Sequence, residues 1–374
     1  MPTIGRWSVV AVAATSAVAL SACGSDNNTG TKASAGGSSS SAAAAPSSGS
    51  VSCGKASITG AGSTFQKNLE LQWIKDYASA CSGAGVQYNG TGSGAGIQSF
   101  SDKQVDFAGS DSLLKETEQP KADARCGTGN KAIHIPVTGG AVVLTYNLPG
   151  VSTLKLSAPV IAGIFTGSIK TWNDPKIAAD NSGTTLPKLP IQPVHRSDSS
   201  GTTDIFSKFL TADAGSDWTL GTGKELKWPG GQAAKGSDGV TAGVKSAPGG
   251  ITYTELSFAK ANSLPVAQVK GKGSDFVDAT GDTVAKALGA ATVDGSKGDL
   301  RVKVDYASTA TGAYPISAVT YVIACDKGNQ NADSVKAFLT YATGKGQESA
   351  PSLGYAKLPD AIASKVTSEV SSLS

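Results

Sequence analysis

The chain has 374 residues, of which 39% are hydrophobic and 16% charged, and its formal net charge is only +3. Because 32 basic residues are balanced by 29 acidic ones, the composition argues against a nucleic-acid-binding protein, which would need a strongly basic surface. With two histidines and no Cys-x-x-Cys spacing, a metal site is not expected either.

Residues 1–22 have the pattern of an export signal. Arg6 precedes an apolar run at 7–20 that is too short for a typical membrane span. The segment closes on Ser21, Ala22 and Cys23, which resemble the lipobox of bacterial lipoproteins. The resemblance implies cleavage before Cys23 and a lipid anchor on it, at the extracytoplasmic face of the cell membrane. The alternative is an ordinary secretory signal with an incidental cysteine.

Residues 23–51 consist almost entirely of Ser, Ala, Gly, Thr and Asn, with only Asp26 and Lys32 charged. Such a segment cannot bury enough apolar surface to offset the entropy lost on ordering. It is therefore predicted to be a flexible tether between the anchor and the folded part. The remaining chain is long enough for two domains that each have a core.

Cys53, Cys81, Cys126 and Cys325 remain outside the lipobox. Four cysteines in an exported protein indicate two disulfides, for which three connectivities are possible. Cys53 precedes the first predicted strand and Cys81 ends the helix after it, so both should lie at one end of a β-α-β unit. We therefore favour Cys53–Cys81, which leaves Cys126–Cys325 as the second bond.

The folded region alternates between predicted strands and helices. Strands are predicted at 56–59, 86–88, 105–108, 133–147, 191–194 and 319–324, and helices after 65, from 97, at 203–210 and near 332–343. The first helix is marked by Leu69, Trp73 and Tyr77, whose i+4 spacing forms one apolar face. This alternation predicts α/β sheets with ligands at the carboxyl ends of the strands.

The segment 196–203 carries the clearest chemical signal, because Arg196 and a run of hydroxyl residues directly precede the predicted helix at 203–210. A helix start leaves about four backbone N–H groups without a partner and carries roughly half a positive charge. The arginine guanidinium matches phosphate oxygens bidentately. Together these features predict a binding site for an oxyanion.

Two other predicted strand ends carry glycine and hydroxyl residues before a helix, at Ser63 and Thr64 and at Ser93. One such loop usually only caps its helix, whereas three loops together with Arg196 favour a shared anion site. None of them is a Walker motif or a dinucleotide fingerprint, so no nucleotide cofactor is expected.

Several segments resemble, in the same order, motifs of the phosphate-binding lipoprotein of the high-affinity phosphate ABC transporter, in its actinobacterial version. They lie at 60–65, 91–96, 106–111, 166–175, 196–202, 314–317 and 353–359. The resemblance extends from about residue 55 to the end of the chain. It departs at His195, where some relatives carry a second arginine, and at the four cysteines, which many members lack.

The resemblance implies an α/β chain with a type II periplasmic-binding-protein fold, in which two α/β domains flank a ligand cleft and are joined by two crossover strands. The first domain is expected at 52–137 and 312–374, and the second at 138–311. The implied protein is not an enzyme and is a monomer without cofactor. It captures inorganic phosphate outside the cytoplasm and delivers it to the transmembrane permease subunits of the transporter.

Carried over position by position, the resemblance also implies the ligand set. Phosphate is held by Thr64, the backbone N–H of Phe65, Ser93, Asp111, Arg196, Ser200, Gly201 and Thr202. The first four belong to one domain and the others to the second, so the ligand lies in the cleft. Asp198 is expected to pair with Arg196 and hold its guanidinium in place. His195 is expected only to line the wall, and His134 is assigned no function.

Asp111 is an unusual ligand for an anion, because a carboxylate about 4 Å from an anion is repelled by roughly 4 kcal/mol at an effective dielectric of about 20. The repulsion becomes attraction if the ligand brings a proton to share. Mono- and dihydrogen phosphate bring one, and sulfate at neutral pH does not. Asp111 is therefore expected to select phosphate over sulfate. The alternative is that Asp111 caps the next helix.

Other functions have to be weighed. Among binding proteins, one for sulfate or another tetrahedral oxyanion is the nearest rival. An exported phosphatase would need a nucleophile with a base, or a pair of metals, and the sequence offers only two scattered histidines. A structural or adhesive surface protein would leave the anion loops without a role.

Overall fold

The computed structural model describes residues 51–271, 275–294, 298–307 and 310–374. The predicted export signal, the lipidation site Cys23 and all of the predicted tether except Val51 lie outside these residues. None of the described helices has both the length and the apolar character that crossing a bilayer requires.

Short strands and helices alternate along the described chain. The strands are β1 (Ile58–Gly62), β2 (Val86–Gly90), β3 (Phe107–Ser110), β4 (Ala132–Asn147), β5 (Lys155–Ser157), β6 (Gln192–Arg196), β7 (Gln232–Ala234), β8 (Gly250–Glu255), β9 (Gln268–Lys270), β10 (Thr292–Asp294), β11 (Arg301–Lys303), β12 (Ser317–Cys325) and β13 (Tyr355–Ala356). The helices are α1 (Lys67–Ala80), α2 (Ser93–Ser101), α3 (Gln119–Cys126), α4 (Ala158–Phe165), α5 (Pro175–Asp180), α6 (Gly201–Asp213), α7 (Gly236–Ser246), α8 (Leu256–Ala261), α9 (Gly281–Gly289), α10 (Ala332–Thr343) and α11 (Asp360–Ser372).

One continuous sheet organises the molecule, with the strand order β2-β1-β3-β12-β4-β8-β6-β7 and β13 paired to β4. The long strand β4 is shared between two halves of this sheet. Up to Ala141 it pairs antiparallel with β12, and from Val142 to Asn147 it pairs antiparallel with β8. We call the elements around β2, β1, β3, β12 and the first half of β4 the first lobe. Those around the second half of β4, β8, β6 and β7 form the second lobe.

Parallel pairing places the functional strand ends together within each lobe. In the first lobe β1 pairs parallel with both β2 and β3, and in the second lobe β6 pairs parallel with β7 and β8. Each of these strands leads into a helix, so the strand-to-helix connections gather at one edge of the sheet. This two-lobed α/β architecture confirms the fold expected from the sequence.

The domain boundaries at 137/138 and 311/312 remain a prediction. Contacts of residues 300 and 302 bear on the second of these boundaries. The N–H of Leu300 donates to the carbonyl of His134 in β4 at 3.0 Å, and the N–H of Val302 donates to the hydroxyl of Tyr321 in β12 at 3.2 Å. Residues that the prediction assigned to the second domain therefore bond to the first lobe.

The core of the first lobe follows the predicted helical face. Leu69, Trp73 and Tyr77 are fully buried on α1, and the ring of Tyr77 packs edge-on against Phe338 of α10 with 5.5 Å between centroids. The helix begins at Lys67, after the loop that contains Phe65. The i+4 spacing of these residues thus predicted the buried face of α1 correctly.

Two disulfides fasten elements of the first lobe. Cys53 is bonded to Cys81 just after α1, and Cys126 at the end of α3 is bonded to Cys325 at the end of β12, each with 5.4 Å between Cα atoms. This is the connectivity that we favoured from the sequence. Closing the shorter of the two loops, between Cys53 and Cys81, stabilises the folded state by roughly 3–4 kcal/mol on the loop-entropy model.

His134 is a buried residue of β4 with both ring nitrogens engaged. Its Nδ1 lies 2.6 Å from Oδ1 of Asp299, and its Nε2 accepts a hydrogen bond from the N–H of Leu114 at 2.9 Å. Since Nε2 accepts, the proton lies on Nδ1 and points to the carboxylate. These contacts give His134 a structural role.

Candidate functional site

The predicted site residues meet between the two lobes. β1 leads through Ser63 and Thr64 to α1, β2 leads to α2 at Ser93, and β6 leads to α6 at Gly201. All eight predicted ligand residues are buried, namely Thr64, Phe65, Ser93, Asp111, Arg196, Ser200, Gly201 and Thr202. The three loops singled out in the sequence therefore belong to one cluster.

Backbone contacts between the lobes are direct at this cluster. The N–H of Gly201 donates to Oγ of Ser93 at 3.2 Å, and the N–H of Gly94 donates to the carbonyl of Ser199 at 2.9 Å. A Cβ atom at Gly201 would lie 2.6 Å from Oδ2 of Asp111. Only glycine permits the N-terminus of α6 to approach the carboxylate of the other lobe this closely.

Arg196 is the last residue of β6, and its side chain is buried. Its Nε and one terminal nitrogen donate to the two carboxylate oxygens of Asp198 at 2.7 and 2.6 Å. Although burial opposes it, these bonds keep the pKa of Asp198 below its usual value. Oδ1 of Asp198 also accepts from the N–H of Gly236 at 2.9 Å. Asp198 thus holds the guanidinium in place, and the other terminal nitrogen donates to Oγ1 of Thr202 at 3.2 Å.

Asp111 follows β3 and is 6% exposed. Its carboxylate accepts from the hydroxyls of Ser63, of Thr320 at 2.7 Å and of Ser93 at 3.2 Å. Burial raises the pKa of Asp111 to about 6, against the opposing effect of these hydroxyl bonds. The next helix, α3, begins only at Gln119, so the alternative interpretation of Asp111 as a helix cap is wrong.

Ser237 is a buried member of the cluster that the sequence reasoning missed. It lies in the first turn of α7, and its Oγ is 2.7 Å from Oγ1 of Thr64 in the first lobe. A guanidinium nitrogen of Arg196 donates to the same oxygen at 3.4 Å. The signal was present, since Gly236 and Ser237 form another glycine and hydroxyl pair between a strand and a helix.

Glu255 is a second carboxylate that the sequence reasoning missed. It ends β8, is 1% exposed, and its Oε1 accepts from the hydroxyl of Thr202 at 2.6 Å. Its negative charge also contributes to the raised pKa of Asp111, after burial as the main cause. No local motif marks this residue, because its importance comes from the neighbours that the fold brings to it.

His195 lines the wall of the second lobe, as expected. Its ring stacks on that of Trp228 with 4.9 Å between centroids and 18° between planes. Burial lowers the pKa of His195, and the bond to the backbone of Arg196 opposes this effect only in part. A neutral stacked ring is suited to packing.

The arrangement supports binding of an anion that carries a proton. Arg196 and the first turns of α2 and α6 provide donors, while Asp111 provides a buried acceptor. Within the residues that the structure describes, no group of three or more His, Cys, Asp or Glu side chains could hold a metal ion.

Comparison with known proteins agrees with this geometry. A family model described as a PBP superfamily domain matches residues 27–345. The phosphate-binding protein PstS 3 of Mycobacterium leprae (strain TN) is 40% identical over 95% of this chain and 95% of its own length. The phosphate-binding protein PstS 3 of Mycobacterium tuberculosis (strain ATCC 25618 / H37Rv) is 40% identical over 97% of both chains.

A similar solved structure is that of a high affinity periplasmic phosphate-binding protein (PfluDING) bound with phosphate. It has 26% identity and a TM-score of 0.68, and the match covers 84% of this chain and 93% of that one. The two-lobed fold, the converging anion loops and the identity to curated relatives over nearly the whole chain lead to one assignment. The protein belongs to the PBP superfamily and, within it, to the family of the phosphate-binding proteins PstS.

Proposed function

We propose that this protein is the extracytoplasmic component of an ABC phosphate importer that captures inorganic phosphate between its lobes. The observation that carries the proposal is that the first turn of α6 contacts both charged groups of the buried cluster. Asp111 lies against Gly201, and the guanidinium of Arg196 donates to Oγ1 of Thr202 at 3.2 Å. A cation alone would accept any oxyanion, whereas a cation combined with a buried acceptor requires an anion with a proton to donate. Phosphate meets this requirement at neutral pH.

The donors come from both lobes. Arg196 offers its guanidinium, and the first turn of α6 offers the N–H groups of Gly201 and Thr202 together with the hydroxyl of Ser200. The first lobe contributes the hydroxyls of Thr64 and Ser93 and the N–H of Phe65. Several of these groups bond to one another, for example the N–H of Gly201 to Oγ of Ser93. Phosphate would replace these mutual bonds with charge-assisted ones.

Asp111 supplies the acceptor. Because burial raises its pKa to about 6, the carboxyl group of Asp111 is mostly ionised at neutral pH. It can then accept a hydrogen bond from a protonated oxygen of the ligand. An enzymatic role has no support in this cluster, whose side chains are arranged to donate to an oxyanion. Family membership likewise indicates a binding protein. Delivery to the permease subunits of the transporter then requires the lobes to separate and release the ion.

Attachment to the membrane is part of the proposal. Ser21, Ala22 and Cys23 support cleavage and lipidation at Cys23, and the two disulfides support an oxidising compartment outside the cytoplasm. Replacing Cys23 by Ala in full-length protein should move it from the membrane fraction to the soluble extracytoplasmic fraction. A Cys23→Ala protein that remains in the membrane fraction would contradict the lipid anchor.

Isothermal titration with phosphate, sulfate and a phosphomonoester tests the function. A scavenging protein should bind phosphate with a dissociation constant of about 1 μM or lower, which corresponds to about −8 kcal/mol. Sulfate should bind much more weakly, and the phosphomonoester should remain intact. Tighter binding of sulfate would identify a carrier for another oxyanion, and release of phosphate from the ester would identify a phosphatase.

A further inference from the structure

An ion pair joins the two lobes outside the anion cluster. Nζ of Lys224 lies 2.7 and 2.9 Å from the two carboxylate oxygens of Glu118. Lys224 belongs to the loop between α6 and β7 in the second lobe, and Glu118 is the residue before α3 in the first lobe. The side chain of Lys224 is only 4% exposed and that of Glu118 is 25% exposed. Separating the lobes would break this pair and return a buried ammonium group to water.

Lys224 is also bonded to the anion loop through its backbone. Its carbonyl oxygen accepts from the N–H of Ser200 at 2.9 Å. Ser200 is the N-cap of α6, and its side chain accepts from the N–H of Thr203. The residue that supports the cap of the anion-binding helix is therefore the same residue that reaches across to the other lobe.

Glu118 is held in a fixed position on its side of the cleft. Its Oε2 accepts from the N–H of Lys115 at 2.9 Å. The same loop begins at Asp111, and the hydroxyl of Ser112 donates to Oδ2 of Asp204 on α6 at 2.8 Å. The segment from Asp111 to Glu118 thus contacts the second lobe at both ends, with the proposed phosphate acceptor at its start.

We propose that Lys224 and Glu118 are positioning residues that keep the lobes closed over bound phosphate and slow its release. The proposal rests on the phosphate-binding function proposed above. The two side chains face one another only when the lobes are closed, so the pair stabilises the closed complex. Its removal acts on dissociation, because a close charge pair formed late in binding governs the off-rate more than the encounter rate.

The test compares phosphate release from Glu118→Gln, Lys224→Met and the double variant by stopped-flow fluorescence with the full-length protein. Each single substitution should raise the dissociation rate constant about tenfold, between the effects of exposed and fully buried pairs. The association rate constant should change by less than about twofold. The double variant should release phosphate no more than about twofold faster than either single one, because both substitutions remove the same interaction.

Lys131→Met is the matched control. Lys131 pairs with Asp123 at 2.8 Å within the first lobe, so its removal deletes a lysine charge without breaking the pair between Lys224 and Glu118. Its release rate should stay within about twofold of the parent. Thermal unfolding of the ligand-free proteins shows whether each variant is folded. If Lys224→Met is not, Glu118→Gln carries the test alone, because its side chain is partly exposed.

The outcomes separate this inference from the proposed function. A parent protein that does not bind phosphate overturns the function itself. If the parent binds phosphate but Glu118→Gln releases it at the parental rate, the inference is overturned. Additive effects of the two single substitutions also overturn it, since the side chains of Lys224 and Glu118 would then act independently of each other.

Discussion

The hydroxyl of Thr202 donates to Oε1 of Glu255 at 2.6 Å, and this bond determines what Thr202 offers to an anion. Oγ1 of Thr202 in turn accepts from the guanidinium of Arg196 at 3.2 Å. With its proton directed to Glu255, Thr202 presents its backbone N–H, and not its hydroxyl proton, to a ligand. Glu255 therefore orients one of the predicted ligand residues and lies beside the cation of the site.

Removing this hydroxyl should destabilise the protein even without phosphate. Thr202→Ala leaves the buried carboxylate of Glu255 without its shortest donor, and a buried acceptor that loses its partner costs about 1–3 kcal/mol. Thr202→Ser keeps the donor and should stay within about 0.5 kcal/mol of the parent. Urea unfolding of the ligand-free proteins measures both values. Equal stability of the two variants would show that this bond is not important for folding.

Arg196→Ala should weaken phosphate binding by roughly 2–5 kcal/mol. The bound anion loses its main counter-charge, and the negative charge of Asp198 remains nearby without its partner. Arg301→Ala is the control, since Arg301 pairs with Asp299 on the first lobe and is partly exposed. Isothermal titration at moderate salt compares the phosphate affinities of the two variants and the parent. A loss of less than tenfold for Arg196→Ala would indicate that the helix N-termini dominate the binding energy.

Asp111→Asn should reduce the preference for phosphate over sulfate by at least tenfold, through a gain in sulfate binding. The amide keeps the size of the carboxylate and can donate to a fully deprotonated oxyanion. Phosphate should still bind, because it can accept from the amide and donate to its oxygen.

Competition titrations on the parent, Asp111→Asn and the surface control Asp102→Asn measure this ratio. Asp102 pairs with Lys121 on the first lobe, so its replacement should leave the ratio unchanged. An unchanged sulfate affinity in Asp111→Asn would place the source of selectivity elsewhere in the cleft.

Glu70 should make the folded protein less stable as the pH rises. It is fully buried on α1, and neither carboxyl oxygen has a hydrogen-bond partner among the described residues. Burial raises the pKa of Glu70 to about 8, from 4.5. The folded state therefore keeps a proton that the unfolded state releases. The contribution of Glu70 to the free energy of unfolding is complete below about pH 4.5. It falls by up to about 1.4 kcal/mol per pH unit as the pH rises from there to about 8.

Glu70→Gln cannot lose a proton, so its free energy of unfolding should decline less between pH 5 and pH 8 than that of the parent. The exposed control Glu116→Gln should retain the parental slope. Urea unfolding at several pH values gives both slopes. Parallel curves for the parent and Glu70→Gln would show that Glu70 does not take up a proton on folding.

Sequence reasoning located the anion loops because their chemistry is local. Arg196 followed by hydroxyl residues, and Ser93 after a glycine, mark helix starts through residues that are adjacent in the chain. The apolar run predicted as a strand at 133–147 corresponds to β4, and the helix predicted near 332–343 corresponds to α10. Long, regular patterns of this kind depend on residues that are close in the sequence, so the sequence alone predicts these elements.

The side chains that contact these loops from other elements could not be identified from the sequence. Glu255 and Ser237 reach Thr202 and Thr64 only because β8 and α7 pack beside the anion loops. β4 could be read as one strand, but not as a strand shared by two lobes, since its pairing depends on segments far along the chain. Motifs of adjacent residues therefore located the proposed oxyanion site. Which carboxylates lie beside it, and which residues such as Lys224 and Glu118 pair between the lobes, follows from packing, because burial and short-range electrostatics act between atoms that are close in space.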